Sequence, residues 1–309
     1  MLKWKPVIVG VDGSEPSVRA AGTGALIARR ADTRCALVYA VPNYERMLYG
    51  EGLVVDVPAI ARDAEARDRV AIRTALGDKV PEELVAGLEI RAGRPPVVLR
   101  DAAAQLDAGL IVIGSRRHTG LDRLMARMAR YLVRATDIPL LVTNGSSPVI
   151  RRVLVALDLS YASMHTWETA VRWARLFDAQ LRALHVLEPA VPMAVPGAPW
   201  SAPDISGTAQ RSSKLWDRIP LQDAEKVVRV GTPAQAIAEE AADWQADLVV
   251  VGSHGAGWGD RLLIGSTAEL LVCQPPAMTL VVPSGHPAAD ESLGIEALPW
   301  EEREALVTG

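Results

Sequence analysis

Apolar residues come in short unbroken runs separated by amphipathic stretches, and the runs occur twice in the same order. Val7-Ile8-Val9-Gly10-Val11-Asp12-Gly13-Ser14 returns as Val153-Leu154-Val155-Ala156-Leu157-Asp158-Leu159-Ser160. Each run is continuous rather than alternating, which predicts a parallel strand buried on both faces. Each ends in Asp with a hydroxyl two residues later, and Ser14 and Ser160 suit helix N-caps. Ala36–Pro42 then matches Leu181–Pro189. Arg91-Ala92-Gly93-Arg94-Pro95 matches Arg229-Val230-Gly231-Thr232-Pro233, where a strand closes on Gly and Pro opens a helix that needs no N–H there. Ala108–Ser115 matches Ala246–Ser253, and the last strands are Pro139–Thr143 and Thr279–Pro283.

Helical spacing fills the intervals. Ser17–Arg30 and Ala162–Phe177 follow the first strands, Pro96–Leu106 and Ala234–Trp244 follow the third, and Leu121–Ala135 and Ser266–Val272 precede the fifth. Alternating strands and helices predict βαβ units on a parallel sheet. The chain therefore reads as two tandem doubly wound α/β domains of five parallel strands each, over 1–147 and 148–284, with an acidic tail over 285–309. The breaker-rich segment Asn144-Gly145-Ser146-Ser147-Pro148 links them. The halves part at the second crossover. Residues 58–76 look helical, whereas Ala190–Ser206 carries Pro192, Pro196, Pro199 and Pro203, a spacing no helix tolerates, and predicts a loop before a short helix near Ala209–Trp216. Strand five of each half has an open edge, and exposed edges tend to be paired or covered. The two last strands are expected side by side, making the chain a pseudo-dimer.

Composition narrows the class. With 309 residues, 49% hydrophobic and 23% charged, the chain is packed rather than disordered. No apolar run approaches the roughly 20 residues of a membrane span, and the start of the sequence lacks a secretory pattern, so a cytoplasmic protein is expected. Cys35 and Cys273 are too few for a disulfide framework or a four-ligand zinc site and read as inert core residues. A net charge of −4 argues against a nucleic-acid binder. That average hides an asymmetry: 21 Lys+Arg against 17 Asp+Glu over residues 1–150, and 12 against 20 over 151–309. From Ser284 onward the tail alone holds six acids and one Arg.

In an open α/β sheet, ligands bind beyond the carboxyl ends of the strands at the switch point. In the second half those ends carry Asp158, Val186–Glu188, Gly231 and Gly252-Ser253-His254-Gly255, and Gly265-Ser266-Thr267 opens the last helix. Neither a Walker A pattern nor a strand-following GxGxxG is present. Glycines still let backbone N–H groups reach an anion, and a helix start favours phosphate. The same glycines also fit a plain tight loop, and both readings stand on the residues alone.

Gly252-x2-Gly255-x9-Gly265-Ser266 resembles the ATP-binding signature of the universal stress protein family, Gly-x2-Gly-x9-Gly-(Ser/Thr). The strand-one Asp with Ser two positions on, the Gly-x-Pro after strand three and the apolar last strand are also similar to that family. The resemblance covers residues 4–143 and 150–283 and implies a tandem member with an adenine nucleotide α-hydrolase-like fold. It further implies ATP, with or without Mg2+, as ligand. Asp158 and the strand end Ala156-Leu157 would meet the adenine side and Val186 would pack on the base. Val251, Gly252 and Gly255 would line ribose and phosphates, and Gly265, Ser266 and Thr267 would hold the phosphates. His254 reads either as a donor to a phosphate oxygen or as a solvated loop residue. Trp258, between loop glycines, reads either as a shield for the nucleotide or as a loop residue packed on the Pro-rich segment.

The first half departs from the pattern. Gly114 is kept, but Arg117 stands where Gly255 stands, Arg127 where Gly265 stands and Met128 where Ser266 stands. ATP binding in the family's manner should be lost there, and Asp12 reads as a structural residue of the βα turn. Arg116, Arg117, Arg123, Arg127, Arg130 and Arg134, with His118, fit either a face that ion-pairs with the second half or a different anion site. Phosphoryl transfer would need a metal clamp and a residue to position the nucleophile. Asp260 and Arg261 could supply part of that, or be loop-surface residues. The sequence therefore favours an ATP-binding regulatory protein, with slow hydrolysis at best. A partner-binding stress protein without a nucleotide role and a true ATPase or phosphotransferase are the alternatives.

Overall fold

The computed structural model describes residues 3–41, 57–115, 122–144, 149–160, 163–188, 216, 224–254 and 264–283. In the first half the order is β1 (Val7–Gly10), α1 (Glu15–Arg30), β2 (Cys35–Val41), α2 (Val57–Leu76), α3 (Glu82–Ala86), β3 (Glu89–Ala92), α4 (Pro95–Gln105), β4 (Leu110–Gly114), α5 (Asp122–Ala135) and β5 (Leu140–Thr143). The second half follows with β6 (Arg152–Ala156), α6 (Ser163–Phe177), β7 (Gln180–Leu187), β8 (Glu225–Val230), α7 (Pro233–Asp243), β9 (Leu248–Gly252), α8 (Ser266–Cys273) and β10 (Met278–Val282). The expected loop over Ala190–Ser206, residues 145–148 of the linker, most of the short helix near Ala209–Trp216 and the acidic tail lie outside the described residues.

Both halves form the same doubly wound sheet, and the two sheets are one. The strand order is β3-β2-β1-β4-β5-β10-β9-β6-β7-β8. Among the described strands pairing is parallel within each half and antiparallel only where β5 meets β10, with Leu141 opposite Leu280. Two copies joined edge to edge through the same strand meet antiparallel about a pseudo-two-fold axis, as in an isologous contact. The last strands lie side by side as the open edges required.

The continuous apolar runs are buried on both faces. Val7 and Val9 face one core while Ile8, between them, faces the other, and Val153, Val155 and Leu154 repeat the division. Glycine is compulsory after the third strands. Gly93 has φ +145° and Gly231 φ +149°, a region closed to residues with a Cβ. Burial pushes the Cys35 thiol up to about 12, and burial, with Glu269 adding to it, also raises that of Cys273. Both are therefore protonated at neutral pH.

The serine caps take another form. Ser14 occupies the N-cap position of α1, but its side chain makes no capping bond. Its N–H (3.0 Å) and its hydroxyl both donate to Asp12 Oδ1. Ser160 repeats the arrangement: its N–H (3.0 Å) and its hydroxyl (2.7 Å) donate to Asp158 Oδ1, and its carbonyl accepts the Ser163 N–H at 3.0 Å. In each case the carboxylate two residues upstream outcompetes the helix for the hydroxyl, as Asx turns do.

Among the described residues, contacts on both faces fasten the halves away from the β5–β10 seam. On one face Trp4 meets Trp173 edge-on with centroids 6.1 Å apart, and Trp173 stacks on Phe177 at 6.0 Å. On the other, α5 packs on α8, and Arg130 Nη1 donates to Glu269 Oε1 at 2.7 Å. One of the two readings of the arginine row, ion pairing with the second half, thus holds for Arg130.

Candidate functional site

The switch point of the second half falls between β6 and β9. These strands are neighbours, with Ala156 paired to Val251, while β7 flanks β6 on its other side. Ala156, Leu157, Asp158, Val186, Val251 and Gly252 therefore converge at one end of the sheet. Ala156 and Val186 are half-buried and pack toward the same core as Ile264, while Asp158 is exposed.

Asp158 is organised by its neighbours. Its Oδ1 accepts the Ser160 N–H at 3.0 Å, the Ser160 hydroxyl at 2.7 Å and the Ser163 hydroxyl. This turn holds Leu159 at φ +61°, a left-handed conformation that costs a non-glycine residue on the order of 1–2 kcal/mol. Gly13 takes the same place in the first half, at φ +76°. The sequence reading did not single out Ser163. The repeat carried the signal, because Ser17 and Ser163 each lie five residues after the aspartate. Beside the turn, the His185 ring Nδ1 lies 2.8 Å from the Leu157 carbonyl, and its ring meets the buried Trp216 edge-on.

The start of α8 closes the site. The Gly265 N–H donates to the Ser253 carbonyl at 2.8 Å, which docks the helix start onto the end of β9. Gly265 is the N-cap and no side chain caps the helix. Ser266 is exposed and Thr267 half-buried in the first turn. An uncapped helix start presents N–H donors and the positive end of the helix dipole. The His254 ring Nδ1 lies 2.9 Å from the Ser253 hydroxyl. Gly255, Trp258, Asp260 and Arg261 lie outside the described residues.

The first half shows why one glycine of the motif outlived the others. A Cβ on Gly114 would lie 2.4 Å from the Pro16 carbonyl oxygen and 2.8 Å from the Ser17 nitrogen. The first turn of α1 sits directly on the end of β4, so this glycine serves packing. Among the described residues, a Cβ on Gly252 would lie 3.1 Å from Thr166 Oγ1 and 3.2 Å from the His254 carbonyl oxygen. Gly114→Ala is expected to cost about 1–3 kcal/mol or more as overpacking, and thermal denaturation of the variant against the wild type checks it.

The aligned helices differ in where they begin. Both end at matching positions, Ala135 and Cys273, but α5 has 14 residues and α8 has eight. At 1.5 Å per residue the helix start in the first half is displaced by about 9 Å. Arg127 and Met128, aligned with Gly265 and Ser266, lie inside α5, where backbone N–H groups are spent on the helix itself. A cavity of about 1040 Å³ opens beside them, at the carboxyl ends of β1, β2 and β4. Asp12, expected to be structural only, stands in its wall. Among the described residues no group of three acidic, His or Cys side chains is placed to hold a metal ion.

Comparison with known proteins agrees with this architecture. The sequence profile of the universal stress protein family matches residues 3–144 and again 150–283. A universal stress protein of Mycobacterium tuberculosis is 28% identical over 294 residues, covering 87% of this chain and 94% of the relative. One from Mycolicibacterium smegmatis is 27% identical over 288 residues, 89% of this chain and 96% of the relative. A crystal structure of a universal stress protein from Archaeoglobus fulgidus superposes with a TM-score of 0.56 at 18% identity, over 91% of this chain and 97% of that one. A putative universal stress protein from Pseudomonas aeruginosa gives 0.58 at 16% identity, over 91% and 93%. The folding unit, its order of strands and its appearance twice in one chain place this protein in the universal stress protein family, as a tandem member.

Proposed function

We propose that this chain is an ATP-binding regulatory protein of the stress response, with the nucleotide held by the second half, 148–284. The first half, 1–147, does not hold ATP in the family's manner. One observation carries the reading: α8 starts at an uncapped glycine docked on the end of β9, whereas the aligned stretch of the first half is helix interior. Phosphate is well served by the former and has no backbone donors in the latter.

In this reading Ala156, Leu157 and Asp158 meet the adenine side, and Val186 packs on the base. Val251, Gly252 and Gly255 line the ribose and phosphates, Gly265, Ser266 and Thr267 hold the phosphates, and His254 donates to one of them. The three donors on Asp158 fix its carboxylate for recognition rather than proton transfer. Mg2+ enters only on the nucleotide. The two halves are each other's constant partner as a pseudo-dimer, working in the cytoplasm, and a protein partner would read the nucleotide state.

Equilibrium binding of radiolabelled ATP tests this. The wild type is expected to bind one ATP per chain. Gly265→Arg, which copies Arg127, should weaken binding roughly 100-fold, the equivalent of two lost charge-assisted hydrogen bonds. Absence of binding by the wild type, or unchanged binding by the variant, overturns the reading.

A further inference from the structure

The cavity in the first half is built by both halves of the chain. Its floor is apolar, formed at the strand ends and the start of α4 by Val38, Ala40, Leu99 and Ile113. Ile264 and Glu269, from the second half, complete its wall. Its volume of about 1040 Å³ is at the upper end of the range for small-molecule sites.

One rim of this cavity is cationic. Arg127, Arg130 and Arg134 are spaced three and four residues apart on α5 and share a face. Arg94, at the N-cap of α4, joins them in the lining. Only Arg130 is engaged, by Glu269 at 2.7 Å. Among the described residues no carboxylate pairs with Arg94, Arg127 or Arg134. Asp12, whose Oδ1 is held by Ser14, also lines the cavity. An apolar floor beside arginines that no carboxylate pairs among the described residues suits a ligand with an apolar body and an anionic head. A polyphosphate fits poorly, because the aligned helix start is overwritten and leaves only side chains as donors.

We infer that the first-half cavity is a second binding site for an amphipathic organic anion, one with an apolar body and a single carboxylate or phosphate. The body lies on the strand-end floor and the head group lies on Arg127 and Arg134. Guanidinium forks suit either head group. The site needs the second half, through Ile264 and Glu269, to be closed. The inference is independent of ATP binding by the second half.

The probe is 8-anilinonaphthalene-1-sulfonate on the full chain, read by its fluorescence, with octanoate, octyl phosphate and octanol as competitors. Saturable binding of one probe per chain is expected, displaced by octanoate, octyl phosphate or both, and not by octanol. Whichever anion displaces it identifies the head group. Arg127 and Arg134 are exposed, so the double variant Arg127→Gln, Arg134→Gln should fold. It should weaken the probe at least tenfold while leaving radiolabelled ATP binding as in the wild type, so the two readings fail separately. No saturable binding, displacement by octanol as readily as by the anions, displacement by none of the three, or an unchanged affinity in the double variant overturns the proposal.

Discussion

Glu240→Ala is expected to destabilise the chain by about 3–5 kcal/mol, the usual cost of removing one partner from a buried ion-pair network. Glu240 lies on α7 and is only 3% exposed. Its Oε1 accepts from Arg182 Nη1 at 2.6 Å, and its Oε2 from Arg229 Nε at 2.6 Å. Glu225 holds the other side of Arg182 at 2.6 Å, and Asp243 holds Arg229 at 2.6 Å. The Arg182 guanidinium also lies over the Trp244 ring, 4.4 Å from its centroid. Without Glu240, Arg182, whose side chain is 16% exposed, loses the one acid that shares its burial. The outer pairs, being more exposed, compensate little.

The first half shows what replaces this network. Ala36 and Ala102 stand at the positions of Arg182 and Glu240, Ala102 is fully buried, and Arg91 bonds instead to Glu89 and Gln105. The double variant Arg182→Ala, Glu240→Ala is therefore expected to be less destabilised than Glu240→Ala alone. The midpoint of urea unfolding at constant slope measures both. A double variant as unstable as the sum of the two single variants would mean that Arg182 and Glu240 act independently.

Trp173→Ala is expected to cost about 3–5 kcal/mol, as other large-to-small aromatic truncations in cores do. The ring is 2% exposed. It joins Trp4 of the first half to Phe177 of the second. The cluster is capped by Arg172, 4.6 Å over the Trp4 ring, and by Arg30, 5.4 Å over the Phe177 ring. Truncation leaves a void and also unties the N-terminal strand region of one half from the helix of the other. Trp4→Ala, at a half-buried ring, should cost less, and Trp173→Phe least of the three. Calorimetric unfolding checks the ranking. A Trp173→Ala loss no larger than that of Trp4→Ala would show that the cluster does not hold the seam.

What the sequence alone determined is what depends on neighbours along the chain. Continuous runs such as Val153–Val155 bury both faces of a strand whatever packs on them. The Gly-x-Pro at Gly93 and Gly231 demands a φ that other residues refuse. The repeat of strands and helices predicts the same doubly wound parallel sheet in each half. It also places Asp158, Gly252 and Gly265 at one sheet end, before any side-chain geometry is known.

The tertiary structure decided what depends on approach between distant segments. Ser14 and Ser160 look like caps, yet the fold turns their hydroxyls to Asp12 and Asp158. Gly114 reads as a remnant of a phosphate loop, but its missing Cβ is needed by the Pro16 carbonyl of α1. The substitution of Gly265 by Arg127 reads as a loss of contacts. It accompanies six added helical residues, which the helical spacing over Leu121–Ala135 already marked, and what the fold adds is the cavity beside them. The cavity that results needs Ile264 and Glu269 from the second half, and they reach it only because β5 and β10 pair across the seam. Periodicity and turn chemistry are written locally, whereas a site shared by two halves exists only once the chain has closed on itself.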